Sequence, residues 1–213
     1  MPSPLARVYA NPGDDELRAV VADELQQKGD PRGEFITAQL AIANGTATPA
    51  IRKRARELVD DNLAAFVGPL VKVASLLAKK KCLEFERGFL SRVRLDRRSV
   101  QRADWDKAAK AQEWATVTEV ELSVLTTPIW WIEKWAKNAA AKRSLLKFSF
   151  TVCQLERSAA DLPWTITRIE PRTVYHSALA AFLSPAEKKT VTFGKVAKKH
   201  REMAEQTLGR AGR

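Results

Sequence analysis

Phe89-Leu90-Ser91-Arg92-Val93-Arg94-Leu95 decides how this chain folds. Its apolar and polar side chains alternate as in a half-buried strand. Cys82-Leu83-Glu84-Phe85-Glu86 alternates in the same way, and Arg87-Gly88 between the two fits a tight hairpin turn. The pattern recurs downstream. Val93-Arg94-Leu95 is followed 27 residues later by Val120-Glu121-Leu122, and about 26 residues after that by Leu146-Lys147-Phe148. A looser fourth copy is Ile166-Thr167-Arg168-Ile169, after a shorter interval. Each interval has room for one helix, at residues 101–113, at 127–143 and, poorly formed, at 153–160. A strand plus a helix recurring in the high twenties of residues is the spacing of leucine-rich-type solenoids. The asparagine ladder of such solenoids is absent. The competing reading is an ordinary α/β domain whose parallel strands are evenly spaced.

The register carries a further expectation. With Val93, Leu95, Val120, Leu122, Leu146 and Phe148 facing a core, alternate residues line the open face of the sheet. Those are Arg92, Arg94, Glu119, Glu121, Lys147, Arg168 and Glu170. Strand by strand the face runs positive, negative, positive, then mixed, so neighbouring strands pair opposite charges. Such a face partly neutralises itself. That argues against phosphate binding and suits a polar partner site or a purely structural role.

Upstream, residues 14–27 place Leu17, Val20, Val21 and Leu25 on one helical face, with Asp15, Arg18, Glu24 and Gln27 largely elsewhere. Asp14, Asp15 and Glu16 sit where a helix dipole favours negative charge. Gly29 suits a left-handed helix end, Asp30 suits a cap for the next helix, and Pro31 fits its first position. Gly33 leaves room for a neighbouring backbone. Phe35, Ile36, Gln39, Leu40 and Ile42 continue a second helix until Asn44-Gly45. Within Gly29-Asp30-Pro31-Arg32-Gly33-Glu34 only Arg32 and Glu34 lack a backbone duty, so any binding role of the motif rests on them. Residues 50–67 form another amphipathic stretch, apolar at Ile51, Ala55, Leu58, Leu63 and Phe66 and basic from Arg52 to Arg56, until Gly68-Pro69.

Asp14-Asp15-Glu16-Leu17-Arg18, Ala22-Asp23-Glu24-Leu25 and the Gly29–Glu34 motif followed by Phe35-Ile36 resemble the bacterial repeat-companion domain, over roughly residues 8–43. That family is a short N-terminal helical module, often preceding leucine-rich-type repeats. The chain departs from it at Val21 and Glu24, where the family usually has Tyr and Trp. The resemblance implies a helical cap ahead of repeats and brings no catalytic activity.

Of the formal net charge of +11, residues 1–81 carry +2, residues 82–160 carry +4 and residues 161–213 carry +5. The basic excess therefore grows toward the C-terminus. Ser184-Pro185-Ala186-Glu187 reads as a capped helix start. It leads into Lys188, Lys189, Lys195, Lys198, Lys199, His200 and Arg201, with Gly194 weakening a continuous helix and a mobile tail from Gly209. These cations suit nucleic acid, an acidic protein or a solvated face. In Ile129-Trp130-Trp131-Ile132-Glu133-Lys134-Trp135, Trp131 and Trp135 share a helix face as core, while Trp130 and Lys134 on an adjacent one suit a partner.

Cys82 and Cys153 have no metal-type spacing and read as reduced thiols. His176 and His200 sit in no catalytic signature, and no nucleophile motif, phosphate-binding loop or metal spacing is present. No leader follows Met1-Pro2-Ser3-Pro4, and no apolar run approaches the ~20 residues that span a bilayer. The expectation is a cytoplasmic, non-enzymatic α/β protein without cofactor, membrane partner or small-molecule substrate. A helical capping module (1–81) would precede leucine-rich-repeat-like β-α units (82–175) and a basic C-terminal helix and tail (176–213). Its function would be protein binding, as an adaptor, regulatory subunit or component of a bacterial assembly. The tentative partner set is Arg92, Arg94, Glu119, Glu121, Lys147, Trp130 and Lys134. The alternative is nucleic-acid binding through Lys188, Lys189, Lys195, Lys198, Lys199 and Arg201.

Overall fold

A computed structural model describes residues 3–74, 82–96, 99–123, 126–138, 143–150, 153–169 and 173–210. The chain begins with four helices: α1 (Pro4–Ala10), α2 (Asp15–Gln27), α3 (Pro31–Ala43) and α4 (Pro49–Val67). Side-chain oxygens cap each of them. Asp14 accepts from the Leu17 amide at 2.8 Å, and Asp30 accepts from the Arg32 amide at 2.9 Å. Ser3 and Thr48 cap α1 and α4. These bonds satisfy amide donors that the first helical turn leaves unpaired.

The helices meet through the Gly29–Glu34 motif. A Cβ on Gly33 would lie 2.5 Å from the Ala22 carbonyl oxygen and 2.6 Å from the Gln26 nitrogen, so α2 and α3 cross at backbone contact. Arg32 is buried. Its Nη1 donates to the Phe66 carbonyl at the end of α4 (2.8 Å), and its guanidinium lies 5.0 Å from the ring centres of both Phe66 and Phe89. Glu34 accepts from Arg54 Nε at 2.7 Å and Nη2 at 2.8 Å, a fork that holds its carboxyl below the usual range. Arg32 and Glu34, the two residues of the motif without a backbone duty, therefore both have intramolecular partners.

The expected apolar face of α2 is also corrected. Val20 is 51% exposed, whereas Arg18 is buried. Arg18 donates to the Pro12 carbonyl and to Asp15, and its guanidinium lies 5.4 Å from the Phe89 ring centre. An arginine whose stem and fork are both occupied can replace an apolar side chain at a helix interface.

Seven strands follow: β1 (Leu83–Glu86), β2 (Phe89–Leu95), β3 (Glu119–Leu122), β4 (Lys147–Phe150), β5 (Cys153–Glu156), β6 (Thr165–Ile169) and β7 (Thr192–Phe193). They form one mixed sheet in chain order. β1 and β2 are antiparallel around Arg87 (φ 51°) and Gly88 (φ 83°), the positive pair of a tight hairpin turn. β2, β3 and β4 are parallel, with Arg92 opposite Glu119 and Glu119 opposite Lys147. The crossovers carry α5 (Arg102–Ala109) with a 3-10 turn at Gln112–Thr116, and α6 (Ile129–Ala136).

The parallel run ends at β4. Residues 153–156 are a strand antiparallel to β4, not the poorly formed helix expected at 153–160. β6 pairs antiparallel with β5, so Ile166–Ile169 is not a fourth copy beside the third. The physical reason lies in chain length. The two residues between Phe150 and Cys153 permit a hairpin and no crossover helix. The pattern Cys153-Gln154-Leu155-Glu156 also alternates in burial with period two.

The C-terminal region comprises α7 (Thr173–Phe182), α8 (Pro185–Thr190), β7 and α9 (Lys198–Arg210). The Ser184/Glu187 capping box forms at α8. Instead of a helix weakened at Gly194, the chain inserts β7 parallel to β6. Gly209 and Arg210 belong to α9 and are not tail, while residues 211–213 lie outside the described residues.

The main core joins Val67 and Leu70 of the N-terminal region to the inward face of the sheet and to Leu179, Phe182, Ala204 and Leu208. A bulge in β2 shifts the register between Glu84 and Phe85, leaving Ser91 without a Cα partner. Leu90 therefore enters the main core, while Phe89 joins Tyr9, Val21, Leu25 and Ile36 in a second cluster. Phe89 is thus one of the points at which the helical module grips the sheet, alongside Phe85, which meets the Phe35 ring edge to face at 5.4 Å.

Burial pushes the Tyr9 phenol up to about 12 and raises the Glu113 carboxyl above its ordinary value of 4.5. Glu113 lies close against Gly68, and its Oε2 is buried without a hydrogen-bond partner among the described residues. A carboxyl raised in the folded state destabilises it as pH rises from the unfolded pKa through the folded one. Glu113→Gln is therefore expected to gain stability on the wild type as pH rises above that ordinary value. Urea midpoints at several pH values check this; a difference constant with pH would refute it.

Candidate functional site

The open face of β2–β4 carries the one organised set of charged side chains that the strand pattern anticipates. Parallel register places Arg92, Glu119 and Lys147 in one row and Arg94, Glu121 and Ser149 in the next. Arg92 reaches Glu84 at 3.1 Å, Glu119 at 3.4 Å and Glu121 at 3.6 Å. Arg94 lies 3.1 Å from Asp96 and 3.7 Å from Glu121. Lys147 lies 3.3 Å from Glu119. On β5, beside β4, Gln154 donates to Glu156 of its own strand. Arg92, Arg94, Asp96, Glu119, Glu121 and Lys147, with Ser149 and Gln154, line an open cleft of about 430 Å³ that extends to Arg168.

This cleft is polar, and its charges are largely balanced within it. Cross-strand pairs of this kind stabilise by about 0.2–1 kcal/mol each and fix strand alignment. They also leave oxygens and guanidinium edges exposed to a polar partner. Asp96 Oδ1, at the C-terminal end of β2, is buried without a hydrogen-bond partner among the described residues. Sequence reading missed Glu84, Asp96, Ser149 and Gln154. Glu84 was legible, because it alternates with Leu83 and Phe85. Gln154 was not, since its strand was read as a helix. Glu170 lies outside the described residues.

Trp130 and Lys134 do not join this face. They sit on α6, whose Trp131, Ile132 and Trp135 pack into the main core. The Arg102 guanidinium lies 4.6 Å from the half-buried Trp130 ring centre, and Lys134 pairs with Asp106, holding that carboxyl below its usual range. The tentative partner set thus divides between the sheet face and the outer side of α5 and α6.

The C-terminal cations are also divided. Lys188 and Lys189 end α8, Lys195 follows β7, and Lys198, Lys199 and Arg201 open α9. On α9 two are paired one turn on, Lys198 with Glu202 at 4.0 Å and Arg201 with Glu205 at 2.8 Å.

Among the described residues no three His, Cys, Asp or Glu side chains are placed to hold a metal. Cys82 and Cys153 are free and buried, and burial pushes the Cys153 thiol up to about 12, which leaves it a poor nucleophile. His200 is half-buried, and the His176 side chain is outside the described set. No helix among the described residues is long and apolar enough to cross a membrane. Comparison with described protein families, with curated proteins and with solved structures finds no match.

Proposed function

We propose that this chain is a non-catalytic protein-interaction module of the bacterial cytoplasm. In this reading the first four helices are a repeat-companion-like cap, and β2–β4 with α5 and α6 form a short leucine-rich-like β-α unit that presents its open sheet face to another protein. Capping suits such a unit, because a stack of repeats otherwise ends on an apolar surface. The observation that carries the reading is the sheet face, uncovered among the described residues, with its in-register rows of charge. Rows of alternating sign favour a partner of matching polarity and disfavour a misregistered one.

The test must change the pattern without breaking the sheet. The double substitution Arg94→Gln/Glu121→Gln removes one pair of opposite charges across β2 and β3, places no like charge beside Asp96 or Arg92, and takes away what a partner would meet. Wild-type chain used as bait in a bacterial lysate should retain a stoichiometric protein. The double variant should reduce its retention by roughly tenfold, about 1.4 kcal/mol, while the unfolding free energy falls by no more than the about 0–1 kcal/mol of a surface pair. Equal retention by the wild type, the double variant and Trp130→Ala would remove both surfaces from the reading.

A further inference from the structure

The described sheet ends at β7, and that edge borders an open cleft of about 720 Å³. Among the described residues β7 pairs only with β6: the Thr192 amide donates to the Trp164 carbonyl at 2.9 Å and the Gly194 amide to the Ile166 carbonyl at 3.0 Å. Successive residues of a strand direct their backbone groups to opposite sides. The Phe193 N–H and C=O therefore point away from β6, to the side on which no described strand pairs with β7.

The cleft beside this edge has two kinds of wall. Pro185, Val191, Phe193 and Leu208 supply apolar surface. Lys188 and Lys189 on α8 and Arg201 on α9 supply positive charge, against the single carboxylate of Glu205. Such an edge with apolar and cationic flanks has the chemistry of a strand-addition site, in which main-chain hydrogen bonds give affinity and flanking side chains select alternate residues.

We propose that this cleft binds an extended, acidic segment of a partner protein, which adds to β7 as an eighth strand. Charge selects the occupant. The chain carries +11 overall, so a second copy is repelled, whereas glutamates or aspartates on alternate positions of a strand would meet Lys188 and Lys189. Nucleic acid fits less well. The α9 cations are interrupted by their own partners Glu202 and Glu205, so they form no continuous track for a phosphate backbone. The Phe193 ring, the aromatic surface of the cleft, already has the Arg201 guanidinium 5.3 Å from its centre. The site is separate from the open face of β2–β4, and it does not require that face to bind anything.

The test uses isotope-labelled full chain titrated with an acetylated Glu-Val-Glu-Val-Glu-Val amide. Controls are the Lys-Val counterpart, an acidic peptide N-methylated on alternate amides, and an oligothymidylate. The acidic peptide should shift the amide signals of residues 191–195 and of the facing side of α9. N-methylation should weaken binding by at least roughly tenfold, since it removes strand pairing and keeps the charge. Lys189→Glu should weaken it by roughly threefold or more while leaving the unfolding midpoint in place. Four results overturn the proposal: no shift with the acidic peptide, equal binding of the basic or N-methylated peptide, shifts confined to the open face of β2–β4, or displacement of the peptide by oligothymidylate.

Discussion

Trp131→Ala should lower the free energy of unfolding by about 4 kcal/mol, the middle of the range for removing a large aromatic side chain from a core. Trp131 is fully buried. Its ring stacks on Trp135, with centres 5.6 Å apart and planes 5° from parallel, and it contacts Trp105 at 5.1 Å and Trp114 at 6.1 Å. Its Nε1 donates to the Trp105 carbonyl at 2.8 Å, which ties α6 to α5. Alanine would lose the apolar burial, the ring contacts and the donor together. Against a typical total stability of roughly 5–15 kcal/mol, that loss brings the chain close to unfolding. Trp135 offers a contrast, because its Nε1 is buried with no hydrogen-bond partner among the described residues. Trp135→Phe should therefore cost clearly less than Trp131→Ala. Urea denaturation followed by far-ultraviolet circular dichroism measures both. A Trp131→Ala loss below about 1.5 kcal/mol would show that the four-tryptophan cluster does not hold the helices to the sheet.

Gly88→Ala should cost roughly 2–5 kcal/mol, from two independent effects. The residue sits at φ 83°, where an L side chain is strained by about 1–2 kcal/mol. A Cβ there would also lie 2.5 Å from Ile36 Cγ1 and 2.6 Å from Ile36 Cα. The second neighbour is backbone, so the hairpin has to lift off α3, an overpacking of about 1–3 kcal/mol. Lifting the turn also loosens Phe89 from Tyr9, whose rings meet edge to face at 5.7 Å. Gly45 provides the control. It has a similar φ of 73° but open space around its Cβ, so Gly45→Ala should show the strain alone. Equal losses at the two positions would mean that the hairpin does not press on α3 as closely as the geometry requires.

Much of this architecture was legible because it depends on local chemistry. Asp14, Asp30, Ser184 and Glu187 cap helices wherever the rest of the chain goes. Arg87-Gly88 forms a tight turn because of its own backbone angles. Even spacing of Val93, Val120 and Phe148 delivered three parallel strands, and with them the opposed charges of Arg92, Glu119 and Lys147. The strand Cys153–Glu156 was misread as a helix because four alternating residues carry little signal, and the two-residue link before them decides the matter. The division of the candidate residues was not legible either, since spacing along a chain does not say that Trp130 and Lys134 lie on a different surface from Arg94.

The chain's local order thus fixes the caps, the hairpin, the helix hinge at Gly29–Gly33 and the alternation that makes one sheet face polar. Tertiary contact decides what each remaining polar group is for. Arg18 and Arg32 look solvent-seeking in one dimension and lie buried, because the Phe89 ring comes to both, and Phe66 with its carbonyl to Arg32, from distant parts of the chain. Phe89 leaves the parity of its own strand because a bulge at Ser91 reverses it, and a bulge is set by the pairing of two strands rather than by either alone. Burial and long-range partners are properties of the folded chain, and no window of sequence contains them.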